Sequence, residues 1–146
     1  MADVKVCGLV LGMHNSGTSL AAALLDAAGA PMGPRLMVRQ NIAEATRPAY
    51  DYLEDRDAVA LNDELLCRLG RHWSSYRSSW PMPDRNQPDL TAIFTDYEER
   101  LLCLIKARLG GGSSLWAVKD PRIAILLPSW LAVLHQLEVQ PRIVVV

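Results

Sequence analysis

Gly12 and Gly17 bracket four residues, Met13, His14, Asn15 and Ser16, and are followed at once by Thr18 and Ser19. Glycine at both ends of such a gap lets the backbone curl until successive N–H groups point inward, which is main-chain anion binding. A helix that starts here adds the unsatisfied N–H groups and the positive partial charge of its first turn. The hydroxyls of Thr18 and Ser19 add side-chain donors. Far along the chain, Lys119 closes a short apolar run and is followed by Asp120, Pro121 and Arg122. In open α/β sheets ligands bind beyond the C-terminal ends of the strands, so a lysine there stands where an anion would be met.

The glycine spacing is that of a nucleoside-triphosphatase phosphate loop, yet Thr18 stands where that motif carries lysine. Chemistry on the β- and γ-phosphates of ATP then lacks its main cation. The alternative role for the same residues is a tight glycine turn with small side chains for packing. No metal site is legible: His14, His72 and His135 share no ligand spacing with one another or with Cys7, Cys67 and Cys103. Three scattered cysteines without a Cys-x-x-Cys pair suit a reducing compartment, where they act as small apolar core residues.

The elements that must position these residues follow from pattern. Residues 4–11 are apolar and partly β-branched, a buried parallel-type strand ended by Gly12. Residues 18–28, mostly Ala and Leu with Asp26 the single charge, predict a helix lying almost wholly against the sheet, with Gly29 as its stop. Residues 30–53 are irregular and carry Arg35, Arg39 and Arg47. A second helix is expected from near Asp57 to Leu69, stopped by Gly70. Residues 71–88, with Trp73, Trp80 and several prolines, read as a loop. Asp89 is the expected cap of a third helix reaching Leu109. A strand at residues 115–118, a turn at Asp120-Pro121-Arg122, a helix to about Leu137 interrupted by Pro128, and a strand from Arg142 complete the order. The fold class is α/β, a P-loop-like parallel sheet flanked by helices. Three strands make a small sheet, and the apolar run 142–146 ends within the last, so the sheet is expected to be incomplete at the C-terminus.

Length and composition bound the rest. The 146 residues, 50% hydrophobic and 21% charged, suit one ordinary globular domain, residues 1–146. A net charge of −1 offers no general grip on nucleic acid or anionic lipid, so any anion site must be local. No apolar run approaches the ~18 residues of a membrane span. The first residues read straight into a strand rather than a signal peptide, which points to the cytoplasm. Oligomeric state is not written in the pattern.

Taken together these residues resemble a known family. Residues 11–20, LGMHNSGTSL, resemble the 5′-phosphosulfate loop of bacterial sulfotransferases that use 3′-phosphoadenosine-5′-phosphosulfate (PAPS). In matching order, residues 52–57 (YLEDRD) and 61–63 (LND) are similar to that family's acidic segment. Residues 119–122 (KDPR) and 127–130 (LPSW) are similar to a second block, and residues 142–146 to the strand leading to the 3′-phosphate site. The resemblance implies a P-loop-like sheet sandwich and transfer of a sulfonyl group from PAPS to a hydroxyl or amine of a carbohydrate or small molecule. It implies no metal and places the 3′-phosphate segment after Val146; the net charge and hydropathy point to no nucleic-acid or membrane partner.

Carried over by position, Gly12, His14, Asn15, Ser16, Gly17, Thr18 and Ser19 bind the 5′-phosphate end of PAPS, and Lys119 faces the transferred group. Catalysis is then in-line positioning plus charge stabilisation. Glu54 is the candidate base, or else a carboxylate favouring the start of the next helix. Asp120 shapes the turn before Pro121 or orients Lys119 or Arg122. Arg122 clamps sulfate or acceptor, or pairs with a carboxylate. Trp73 and Trp80 stack on an acceptor or cover a core edge. Asn15 departs from the family, which carries a cation there; losing that charge-assisted contact costs roughly 2–4 kcal/mol in the transition state. A sulfotransferase-like domain without activity and a P-loop nucleotide kinase are the competing readings.

Overall fold

Val, Leu and Cys in an unbroken run leave no polar face to turn outward, and in the computed structural model that run is β1, Val6–Leu11, the middle strand of a parallel sheet. The structure describes residues 4–13, 15–37, 52–72, 83–84 and 86–146. On one side β1 pairs with β2, Leu115–Lys119, with Val6 opposite Leu115 and Val10 opposite Lys119. On the other it pairs with β3, Gln140–Val145, with Val6 opposite Gln140 and Leu11 opposite Val145. Parallel neighbours need crossovers, which here are helical. The described helices are α1, Thr18–Ala27; α2, Arg56–Arg68; α3, Pro88–Arg108; and α4, Ile123–Gln136.

Side-chain alternation divides the core in two. Cys7, Leu9, Leu11, Trp116 and Val118 face a large cluster built with α2, α3 and α4. Ala117 and Leu115 face a small one containing Ala22 of α1, Ala30 and Met32. Gly8 lies opposite Ala117, and a Cβ on it would sit 3.3 Å from the Ala117 Cβ. The sheet is therefore open, with helices on both faces of β1 and β2 while β3 is largely exposed, an α/β architecture.

Four local expectations are corrected. The helix at 18–27 does not lie wholly against the sheet: Thr18 and Ala22 are buried, whereas Leu20 and Leu24 are 52% and 64% exposed. A three-strand sheet offers one stripe of contact to a helix of this width. Asp89 does not cap α3; Gln87 holds the cap position and Pro88 begins the helix, where its missing N–H costs no bond. Pro128 does not interrupt α4, because it and Ala124, whose carbonyl loses its partner, are both exposed to water. Of the cysteines only Cys7 is buried, its thiol pushed up to about 12 by that burial, while Cys67 and Cys103 are exposed. Trp73, Trp80, Arg39, Arg47 and His14 lie outside the described residues. No described helix is long and apolar enough to cross a membrane.

Helix ends follow a shared geometry. After α1, the N–H of Gly29 bonds Asp26 and that of Ala30 bonds Leu25, both at 2.9 Å. Gly29 takes the left-handed conformation this closure requires, φ 91°. After α4 the same pair of bonds runs from Glu138 to His135 and from Val139 to Leu134, yet the left-handed residue is Glu138, φ 54°. A side chain there is strained by about 1 kcal/mol. Glu138→Gly should therefore stabilise the protein by roughly 0.5–1 kcal/mol, raising the thermal midpoint by about 2–4 °C in calorimetry. An unchanged or lower midpoint contradicts the geometry.

Candidate functional site at the C-terminal edge of the sheet

β1 ends at Leu11 and α1 begins at Thr18, and Gly12, Met13 and residues 15–17 lie between central strand and helix. Gly12 is required by close approach: a Cβ would come within 2.8 Å of the Thr18 Cγ2, the Ser16 Oγ and the Val146 carbonyl oxygen. Asn15 and Gly17 are left-handed, φ 63° and 96°. Asparagine tolerates that conformation better than most residues. Both donors of Ser16, its N–H at 3.2 Å and its hydroxyl at 2.7 Å, go to the Met13 carbonyl, so Ser16 closes the turn. Gly17 holds the cap position of α1 and no side chain caps the helix. The N–H groups of its first turn thus keep their donor capacity for water or a ligand.

Lys119 is the last residue of β2, opposite Val10, two residues before Gly12. Alternation puts its side chain on the α1 face with Ala117. There its ammonium donates to Glu54 Oε1 at 2.5 Å, both groups buried, and sits 5.9 Å from the centre of the Tyr52 ring. Glu54 is held from its backbone: Leu36 and Asp55 form an antiparallel bridge, and the Met37 N–H bonds the Glu54 carbonyl at 2.8 Å. Leu53 before it is left-handed, φ 50°, a strained state kept by packing into the small core cluster. Burial pushes the Glu54 carboxyl above its ordinary value, and Lys119 only partly offsets that rise.

One residue further on, Asp120 turns to the opposite face and is fully buried. Its carboxylate accepts from the Arg122 N–H at 3.0 Å, the Arg122 Nη1 at 2.8 Å and the Asn62 Nδ2 at 2.8 Å. Asn62 Oδ1 in turn accepts from the Tyr97 hydroxyl at 2.7 Å and the Trp130 Nε1 at 3.3 Å. Asp63 takes the rest of the Arg122 fork, from Nε at 2.5 Å and Nη2 at 3.1 Å. Burial disfavours the charged guanidinium, but Asp120 and Asp63 outweigh it and raise its proton affinity. Asp120 and Arg122 thus lock the turn after β2.

A second lock holds the approach to Glu54. Asp55 caps α2 by accepting the Asp57 N–H at 3.0 Å, and Arg108 of α3 donates to it through Nε at 2.6 Å and Nη2 at 3.0 Å. Arg108 also reaches Asp57 at 2.6 Å, and Arg35 pairs with Asp57 as well. Burial pushes Asp57 up, but its hydrogen bonds from Arg108 and Arg35 hold the carboxyl below its usual value. Gly33 makes room for this lock, since a Cβ there would lie 2.4 Å from Asp55 Oδ2.

The structure brings Lys119 and Glu54 together and places Asp120 and Arg122 in the adjoining turn, on the other side of the pleat. Sequence reasoning placed Asn62 and Asp63 in the family-like segment 61–63 without a part for either, and assigned no role to Arg108. The signal available was Asn62 itself, a polar residue among Leu61, Leu65 and Leu66 on the apolar face of α2. Among the described residues no cluster of His, Cys, Asp and Glu could hold a metal ion. In comparisons with known proteins the chain matches no family model, no curated protein and no solved structure.

The Asn62 lock makes a graded prediction. Asn62→Leu strands Asp120, Tyr97 and Trp130 at once and should cost about 3 kcal/mol or more, whereas Tyr97→Phe leaves Asn62 its Trp130 donor and should cost about 1 kcal/mol. Urea denaturation of both variants checks the order; equal losses would mean that the bonds do not act as one network.

Proposed function

We propose that the chain is a sulfonyl-transfer domain that takes PAPS as donor and a hydroxyl or amine of a carbohydrate or small molecule as acceptor. One observation carries the reading: an uncapped helix start follows the central strand, and a buried lysine–glutamate pair closes the neighbouring strand on the same face. The resemblance of residues 11–20 and 119–122 to bacterial PAPS-dependent sulfotransferases gives that arrangement its chemistry.

In this reading the N–H groups at the start of α1, with the Thr18 and Ser19 hydroxyls, hold the 5′-phosphate, and Ser16 keeps the turn closed. PAPS supplies an activated sulfonyl group with a phosphate as leaving group. Lys119 neutralises charge gathering on the sulfonyl oxygens, and Glu54 receives the acceptor's proton. A base must combine reach with a proton affinity near working pH, and burial moves Glu54 in that direction. Asp120 and Arg122 position Lys119 by fixing the turn behind it.

Two measurements test the reading. Isothermal calorimetry with adenosine 5′-phosphosulfate, which shares the 5′ end of PAPS, should show binding that needs no Mg²⁺. Radiolabelled PAPS with a panel of hydroxyl and amine acceptors should show transfer that Lys119→Met lowers by roughly a hundredfold or more. Magnesium-dependent turnover of ATP with no response to either compound would replace the proposal with a nucleotide kinase.

A further expectation concerns Asn15, where a cation would serve the developing charge. Asn15→Arg should raise kcat more than it changes KM, while losing about 1 kcal/mol of stability because arginine tolerates φ 63° less well. Unchanged turnover with binding intact would mean that another group supplies that charge.

A further inference from the structure

In the buried pair of Lys119 and Glu54, one partner is tied down through its backbone neighbours and the other hangs on a flexible stem. Glu54 is pinned by its bridge to residues 35–37, by the packing of Leu53 and by the cap that Asp55 places on α2. Lys119 has a fixed backbone in β2 but a four-carbon flexible stem, and among the described residues Glu54 is the carboxylate its ammonium pairs with. An anion arriving beside Gly12 on the same sheet edge competes with Glu54 for that ammonium.

From this geometry we infer that donor binding arms the base: Lys119 leaves Glu54 for the sulfonyl group, and the released carboxylate then binds a proton more tightly. The inference rests on the reading of residues 12–19 as the phosphosulfate site. Before the donor arrives, Lys119 shields Glu54 and keeps it a weak base. Afterwards Glu54 is the stronger base: in the donor complex alone it is partly protonated from solvent, that proton returns to solvent when the acceptor enters, and the ionised carboxylate then takes the acceptor's proton.

The charges around Glu54 support this sign. Lys119 faces it from β2; Asp120 and Arg122 act from the turn beyond, the first raising and the second lowering its proton affinity. Arg122 is engaged by Asp63 and Asp120, and Asp55 is turned to Arg108, so neither follows Lys119. With the lysine gone, burial and Asp120 favour the protonated acid, and among the described residues Arg122 opposes them.

The test is calorimetry of adenosine 5′-phosphosulfate binding to the whole chain from about pH 5 to about pH 8, in buffers of different ionisation enthalpy. This probe carries no group that titrates near neutrality. The expected result is net proton uptake, with log K falling as pH rises at a slope between zero and about −1. Glu54→Gln, which can still accept a hydrogen bond from Lys119, should abolish both the uptake and the slope. Wild-type binding with no buffer-dependent heat and no slope overturns the inference and leaves the proposed function standing. Failure of the folded protein to bind at any pH removes the phosphosulfate reading and this inference with it. The wild-type buffer series decides the matter even if Glu54→Gln does not fold.

Discussion

A carboxylate with no exposure to water needs every lone pair answered, and Asp120 meets that requirement only because α2 delivers Asn62 and the chain folds Arg122 back on itself. Asn62 then joins α2 to α3 through Tyr97 and to α4 through Trp130. Four segments, β2 with its turn, α2, α3 and α4, are thereby tied at the point where β2 ends. Removing Asn62 leaves several buried groups unanswered at once, which favours one register of helices over sheet. The position of Lys119 is a consequence, because it is the residue just before that knot.

The pleat of β2 separates two tasks within consecutive residues. Lys119 points to the α1 face and meets Glu54, while Asp120 points to the α2–α4 face and holds the core polar network. A one-residue slip of β2 would exchange them, burying the lysine beside Asn62 and turning the aspartate toward Glu54. Two like charges would then face each other, which adds an electrostatic reason for the register that packing of Trp116 and Val118 already demands.

Two of the three left-handed non-glycine residues described lie at the same edge. Asn15 lies in the turn after β1 and Leu53 immediately before Glu54, both left-handed without being glycine. Leucine has no side-chain reason to adopt that state; its packing against the Met32 cluster and the bridge at Leu36 impose it. The outcome is a carboxylate aimed across the sheet edge at Lys119 rather than outward from the start of α2. A sequence window around Leu53 contains nothing that announces this, since propensity alone would leave the residue extended.

Local order and type of element were legible because they depend on neighbours in the chain. The apolar runs at β1 and β2, the glycine punctuation at Gly29 and Gly70 and the turn at residues 12–17 all rest on periodicity and conformational freedom that a linear reading captures. Partnerships were not legible. Lys119 with Glu54, Asn62 with Asp120 and Arg108 with Asp55 join residues more than fifty positions apart, and no local rule selects a partner at that separation. The exposure of Leu20 and Leu24 likewise depends on how wide the sheet is beneath α1, and the continuity of α4 through Pro128 on which side of the helix meets water. The sequence by itself determined the order of strand, turn and helix; the tertiary structure decided which charges meet, because pairing follows from the stacking of helices on a twisted sheet and not from spacing along the chain.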